Sequence, residues 1–230
     1  LTALIDSAYN AGRMQDIDLK KASLSSVIRA GTPTPLESEE TTHFSIVDGT
    51  GSAVSITTTI NGSYGSHVIV DGAGFLLNNE MDDFSAKPGI PNMYGLVGGE
   101  ANAIQPGKRM LSSMTPTILE RDGQLAMVVG TPGGSTIMTS VFQTIVNVVD
   151  FDMDMQGAVD APRFHHQWLP DEIWAEADAI DSLTRQSLEA SGYVFKPRSA
   201  IGRVDAILVA PDGGMTGGAD RRGDDTIAAY

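Results

Sequence analysis

Three features of the 230-residue chain predict an α+β fold built mainly from antiparallel sheet. Alternating, β-branched runs arrive in pairs joined by short turn signals, the pattern of hairpins. Segments with helical spacing stand in separate blocks and do not alternate with single strands, which argues against a parallel doubly wound sheet. Hydrophobic residues are 41% and charged residues 19% of a chain long enough to bury a core, a globular composition.

Taken in order, Leu1, Ile5 and Ala8 share one helical face, with Ala11-Gly12 as a stop signal. Gly31 to Glu40 (GTPTPLESEE) holds two prolines and three glutamates and reads as an exposed linker open to cleavage. Two strands are expected at His43–Val47 and Ala53–Ile60 around the turn Asp48–Ser52, and two short ones at Ser66–Val70 and Gly74–Leu77. Residues 86–109 carry three prolines and five glycines and read as a long functional loop. A second strand pair, Thr115–Leu119 and Leu125–Val129, leads through Gly130-Thr-Pro-Gly-Gly-Ser135 into a helix from Thr136 to about Val149, with Ser135 at the N-cap position and Ile137, Val141, Ile145 and Val148 inward. Residues 181–192 are an amphipathic helix closed by Gly192, and Ile207–Val209 and Thr226–Ala229 are read as the last strands.

Fifteen basic against 29 acidic residues leave a formal charge of −14, which disfavours a nucleic-acid backbone or an anionic membrane as partner. The absence of cysteine excludes disulfides, zinc-thiolate sites and a cysteine nucleophile. No apolar run reaches 18 residues, so no membrane span is expected. The opening Leu1-Thr2-Ala3 has neither an initiator methionine nor a signal pattern, and Leu1 is expected to be internal to a longer product.

Five constellations can carry chemistry, each with a plainer alternative. A strand running into Gly133-Gly134 and a helix start collects backbone N–H groups and a positive helix end at one point. Ser135 stands where a nucleotide loop needs lysine, so the turn is either an anion or oxyanion site or simply a helix start. Asn78 to Asp83 packs two amides and three carboxylates after an apolar strand, suited to an ammonium group or to a solvated acidic turn. Asp150, Asp152 and Asp154 lack the glycine spacing of a calcium loop and are read as an acidic helix junction. His165 and His166, being adjacent, point apart and are expected to pack near Arg163, Trp168 and Trp174 rather than share a metal. Thr41, directly after the acidic linker, would gain on scission both a nucleophilic hydroxyl and an α-amine of pKa about 7.7–8.0; β-propensity alone also explains a threonine there.

Several blocks together resemble the small subunit of gamma-glutamyltransferases: Thr41-Thr-His-Phe-Ser-Ile-Val-Asp48, Thr57-Thr-Thr-Ile-Asn61, Leu76-Leu-Asn-Asn-Glu-Met-Asp-Asp-Phe-Ser85, Lys108-Arg-Met-Leu-Ser-Ser-Met-Thr-Pro-Thr117, Gly130–Ser135, Ala161–Pro170 and Asp224–Tyr230. The resemblance implies an N-terminal-nucleophile hydrolase fold, an αββα sandwich of two stacked sheets between helical layers. It implies a precursor cut between Glu40 and Thr41. Residues 1–40 then form the tail of a large subunit, and residues 41–230 the small catalytic subunit of a heterodimer.

The same resemblance assigns roles. Thr41 attacks the γ-carbonyl of glutathione or another γ-glutamyl compound, and an amino acid, a dipeptide or water accepts the γ-glutamyl group. Thr59 orients the nucleophile; Gly133 and Gly134 form the oxyanion hole. Asn61, Glu80 and Asp83 hold the substrate α-ammonium, Ser112 and Ser113 its α-carboxylate, and Tyr94 gates the pocket from the loop 86–109. No metal or cofactor is implied. The family's carboxylate-binding arginine lies in the large subunit, so this chain alone is expected to be inactive. A periplasmic or secreted bacterial location is implied. The alternatives are a cephalosporin or glutaryl acylase, a poly-γ-glutamate transpeptidase, or a non-catalytic binding protein on the same scaffold.

Overall fold

The structure is a computed structural model that describes residues 40–92 and 95–230, together with residues 11, 14, 15, 17, 18, 20–25 and 28. The expected first helix, the linker up to residue 39 and Tyr94 lie outside the described residues.

The expected strand pairs form, each slightly shifted. β1 (Glu40–Val47) and β2 (Ala53–Asn61) make an antiparallel hairpin, closed by Asp48, whose Oδ1 accepts from the amides of Thr50 and Ser52. β3 (Thr117–Arg121) and β4 (Gln124–Gly130) pair around Asp122-Gly123, both in the left-handed region as a tight hairpin requires. β8 (Asp205–Val209) and β9 (Met215–Ala219) complete a four-stranded antiparallel sheet in the order β3-β4-β8-β9. The β1–β2 hairpin packs on β4 and β8, giving two stacked sheets. Helices α1 (Ile137–Val149) and α2 (Met155–Asp160) cover the far face of the four-stranded sheet. The core between them is Met127 and Val129 of β4, Val141, Met155, Ala158 and Val159 of the helices, and Val204 and Ala206. The α+β layering is as expected.

A third sheet joins β5 (Phe164–His165), β6 (Ile173–Ala175) and β7 (Phe195–Pro197), with β6 and β7 parallel. Helix α3 (Ser182–Ala190) packs Leu188 against its small apolar cluster. Asp181 caps α3 by accepting from the amides of Leu183 and Thr184, and Gly192 follows it at φ +104°. Ser25 docks here: its amide donates to Asp171 at 2.6 Å and the Trp168 indole donates to its carbonyl at 2.6 Å.

Three local expectations fail. Ser66–Val70 and Gly74–Leu77 are not strands but meet in a single bridge, Ile69 to Leu76, because Tyr64 and His67 take positive φ and break the extended run. Thr226–Ala229 is not a strand either; β9 takes that place in the sheet. The glycines of β9 hid it from a propensity reading, yet a Cβ at Gly218 would lie 2.8 Å from both the Met155 carbonyl and Val159. Ser135 is not the N-cap: a 3₁₀ turn, Gly134–Thr136, precedes α1 and buries Ser135, and Thr136 occupies the cap position, its side chain accepting no bond from the amides of the first turn. The histidines pack by the tryptophans as expected: His165 stacks beside Trp174, their centroids 5.6 Å apart, and the Trp168 amide donates to His166 Nδ1 at 3.3 Å, while the Trp168 indole reaches Ser25. The acidic junction gains a small helix, since Asp154 Oδ1 accepts from the Gly157 amide and opens α2.

Candidate active site

Strand alternation decides what the hairpin presents. Its inner face is polar: His43 and Ser45 from β1, with Ser55, Thr57 and Thr59 from β2. Its outer face carries Phe44, Ile46, Val54, Ile56 and Ile60, each 37–50% exposed. Thr41 stands opposite Thr59, directly beside a register shift that falls between Glu40 and Thr41. Its Oγ1 is buried and has no hydrogen-bond partner among the described residues. A buried hydroxyl left unmatched costs free energy, a cost that a partner from outside the described residues would remove. Thr59 Oγ1 accepts from the Asn61 amide at 2.9 Å. Asn61, fully buried at φ +72°, donates through Nδ2 to the Asn79 carbonyl at 3.1 Å, and its Oδ1 is also unmatched.

Asn79 therefore ties the end of β2 to the acidic cluster; its Oδ1 also accepts from the Gly62 amide at 2.8 Å. The cluster is a 3₁₀ turn, Glu80–Asp83, begun by Asn78 Oδ1 accepting from the Glu80 amide. Burial, reinforced by Glu80 and Asp82, pushes the Asp83 carboxyl up to about 6, and burial also raises Glu80. Asp83 Oδ1 and Asp82 Oδ2 are buried without partners among the described residues. Two carboxylates with unmatched oxygens in one turn suit a cation with several N–H donors. Ser113 is buried and Ser112 exposed, in the extended run before β3.

Gly133 and Gly134 take φ +138° and +58°. A Cβ at Gly133 would lie 2.7 Å from Thr136 Oγ1 and 3.1 Å from the Gly202 Cα, so only glycine fits. The Gly133 carbonyl is held inward by the Thr136 amide and hydroxyl at 3.1 and 2.8 Å, which orients this peptide corner.

The structure brings Thr41, Thr59 and Asn61 together and links them to Glu80 and Asp83 through Asn79. It does not gather every expected residue around one void. A cavity of about 310 Å³ is lined by Thr41, Thr42, Thr58, Thr59 and Tyr64, whereas Asp83 lines another of about 110 Å³, and Gly133 and Gly134 line neither.

Sequence reasoning missed His43. Burial lowers its imidazole to about 4, so it is neutral near pH 7; its ring nitrogens meet Thr57 Oγ1 at 2.8 Å and Ser45 Oγ at 3.0 Å. The ring fills the space a Cβ of Gly130 would need, only 2.2 Å away, and so sets β1 against β4, the strand leading to Gly133. Its signal was its period-two spacing from Thr41. Among the described residues, no group of three or more histidine or acidic side chains has metal-binding geometry.

The chain has clear relatives. The glutathione hydrolase proenzyme of Escherichia coli K12 is 49% identical over 229 residues, covering 99% of this chain and 39% of that protein. The acylase ACY 1 proenzyme of Pseudomonas sp. SE83 is more distant, at 37% identity over 228 residues, covering 98% of this chain and 38% of the relative. Among solved structures, a variant of Helicobacter pylori gamma-glutamyltranspeptidase superposes with a TM-score of 0.77 at 53% identity, over 79% of this chain and all of that one. The chain thus spans less than two fifths of the length of the curated relatives it matches. The family model for Gamma-glutamyltranspeptidase matches residues 1–230 in full, and the chain belongs to that family, with its N-terminal-nucleophile hydrolase fold.

Proposed function

We propose that this chain is the catalytic part of a gamma-glutamyl transferase and hydrolase acting on glutathione and related γ-glutamyl amides. The observation that carries the reading is Thr41: a buried, unmatched hydroxyl at a register shift, opposite Thr59. Scission of the Glu40–Thr41 peptide frees the α-amine of Thr41. That amine takes the Oγ proton as Oγ attacks the γ-carbonyl carbon, and the oxyanion formed is met by the amides at Gly133 and Gly134. The C–N bond breaks, the leaving amine takes the proton, and a γ-glutamyl ester of Thr41 remains. Water then releases glutamate, or the amine of an amino acid or dipeptide takes the γ-glutamyl group.

Asn61, Glu80 and Asp83 hold the substrate α-ammonium, Ser112 and Ser113 its α-carboxylate, and Tyr94 closes the pocket. The unmatched oxygens of Asn61 and Asp83 support the first of these roles. Residues 1–40 belong to a large subunit and residues 41–230 to the small one. The full coverage of the H. pylori polypeptide by 79% of this chain supports that division. The rest of the large subunit covers the apolar outer face of the β1–β2 hairpin and completes the substrate site. The enzyme works in the bacterial periplasm or outside the cell, and no helix among the described residues is long and apolar enough to cross a membrane.

The test uses the full-length proenzyme. Mass spectrometry should find a fragment beginning at Thr41, and Thr41→Ala should stay a single inactive chain. The cleaved enzyme should release p-nitroaniline from γ-glutamyl-p-nitroanilide faster with glycylglycine present. Cleavage without such release would favour an acylase of the same fold.

A further inference from the structure

The two halves of the proposed head-group site lie on different segments: Asp83 ends the acidic turn, and Ser112-Ser113 follow the long loop some thirty residues later. One side chain spans them. Asn102 ends the 3₁₀ turn Glu100–Asn102 and is 9% exposed. Its Nδ2 donates to the Asp83 carbonyl at 2.6 Å, and its Oδ1 accepts from the amide of Leu111, the residue before Ser112, at 3.0 Å. Its own carbonyl accepts from the Ser85 amide at 2.9 Å. Lys108 steadies the same turn, its Nζ donating to the carbonyls of Ala101 and Ala103 at 2.7 and 2.9 Å.

We propose that Asn102 is a positioning residue for donor specificity: its carboxamide, bonded at one end to Asp83 and at the other to Leu111, sets the distance between the ammonium-binding carboxylate and the carboxylate-binding serines. This deepens the functional reading above and rests on it. A donor bearing both an α-ammonium and an α-carboxylate engages both ends and depends on that distance. A glutaryl donor has no α-ammonium, engages only the serine end, and does not. The bonded atom of Asp83 is its main-chain oxygen, so Asn102 acts by placing the residue and leaves the carboxylate free for substrate.

The experiment compares full-length, cleaved enzyme carrying Asn102, Asn102→Leu or Asn102→Asp. Asn102→Leu should raise KM for γ-glutamyl-p-nitroanilide about tenfold, the scale of one or two lost hydrogen bonds, with kcat little changed. KM for glutaryl-p-nitroanilide should not move, so selectivity between the donors falls. Asn102→Asp keeps the acceptor for Leu111 and should lose selectivity to a smaller degree. Equal rises on both donors, or none, overturn the proposal. Hydrogen exchange of the peptide 109–114 gives a readout independent of turnover: it should quicken in Asn102→Leu and stay near wild type in Asn102→Asp, and unchanged exchange in Asn102→Leu overturns the strut. A wild-type enzyme that turns over neither donor would refute the functional reading, while exchange still judges Asn102.

Discussion

Two buried polar regions of this molecule are satisfied to opposite degrees. Behind the third sheet, Arg163 donates to Asp220 at 2.7 Å and to the Ile201 carbonyl at 2.6 Å, while Arg222 bridges Glu176 and the second oxygen of Asp220. Glu176 also accepts from the amides of Arg163 and Ile201, so both carboxylates are saturated with donors. Burial works against the charge on Asp220, but Arg163, Arg222 and the amides of Val204 and Arg222 outweigh it and hold the carboxyl below its ordinary range. At the other end, Thr41 Oγ1, Asn61 Oδ1 and Asp83 Oδ1 are buried and unmatched, and the Asp83 carboxyl is pushed up. In the first region both carboxylates are matched by arginines and amides, only Arg163 Nε lacking a partner among the described residues, and it holds the fold. The second lacks partners for these three atoms among the described residues, which is what the proposed substrate site requires of them.

The contrast is sharpest under amputation. Asp220→Asn should destabilise the protein by about 3–5 kcal/mol, because it leaves Arg163 buried with an uncompensated charge. Urea unfolding of the full-length protein measures it, and a loss near zero would break the comparison. Gly133→Ala should lower kcat by about a hundredfold to a thousandfold, the scale of one oxyanion donor, through the clash at Thr136.

Asp83→Asn should have the opposite sign on stability. Because the folded carboxyl titrates near 6, above its unfolded value, ionised Asp83 weakens the fold at pH 8. Removing that charge should therefore raise stability at pH 8 by roughly 1 kcal/mol, discounted for its partial exposure, and the gain should fade as pH drops through 6. Affinity for γ-glutamyl donors should move the other way, KM rising as pH falls below about 6 in the parent enzyme. Thermal melting and KM at pH 8 and 5 separate the two effects. The smallest change is expected at the exposed Arg185–Glu189 pair of α3, where Glu189→Gln should cost at most about 0.5 kcal/mol.

Local signals were strong enough to read the β1–β2 and β3–β4 hairpins, α1 and α3, because turn chemistry and periodicity act within a dozen residues. The glycine corner before α1 was legible for the same reason. β9 was not, since its glycines lower strand propensity and are tolerated only by what α2 presses against them. Asn79, Asn102 and His43 were equally hidden: an asparagine in a loop looks the same whether it faces water or spans two segments. The roles of Thr41, Asn61 and Asp83 came from resemblance to a family, and the structure adds their unmatched atoms.

The sequence alone determined the first two hairpins, helices α1 and α3, the acidic charge, the resemblance to a family and the residue types able to do chemistry, all of which can be read along the chain. Tertiary structure alone decided which face of the first hairpin is buried. Alternation has a period but no sign, so nothing local says that His43, Ser45 and Thr57 turn inward while Phe44, Ile46 and Ile56 remain outside. It also decided which polar groups find partners: Arg163 meets Asp220 across 57 positions, whereas the Thr41 hydroxyl meets none among the described residues, because hydrogen-bond satisfaction depends on distances that only the folded chain sets.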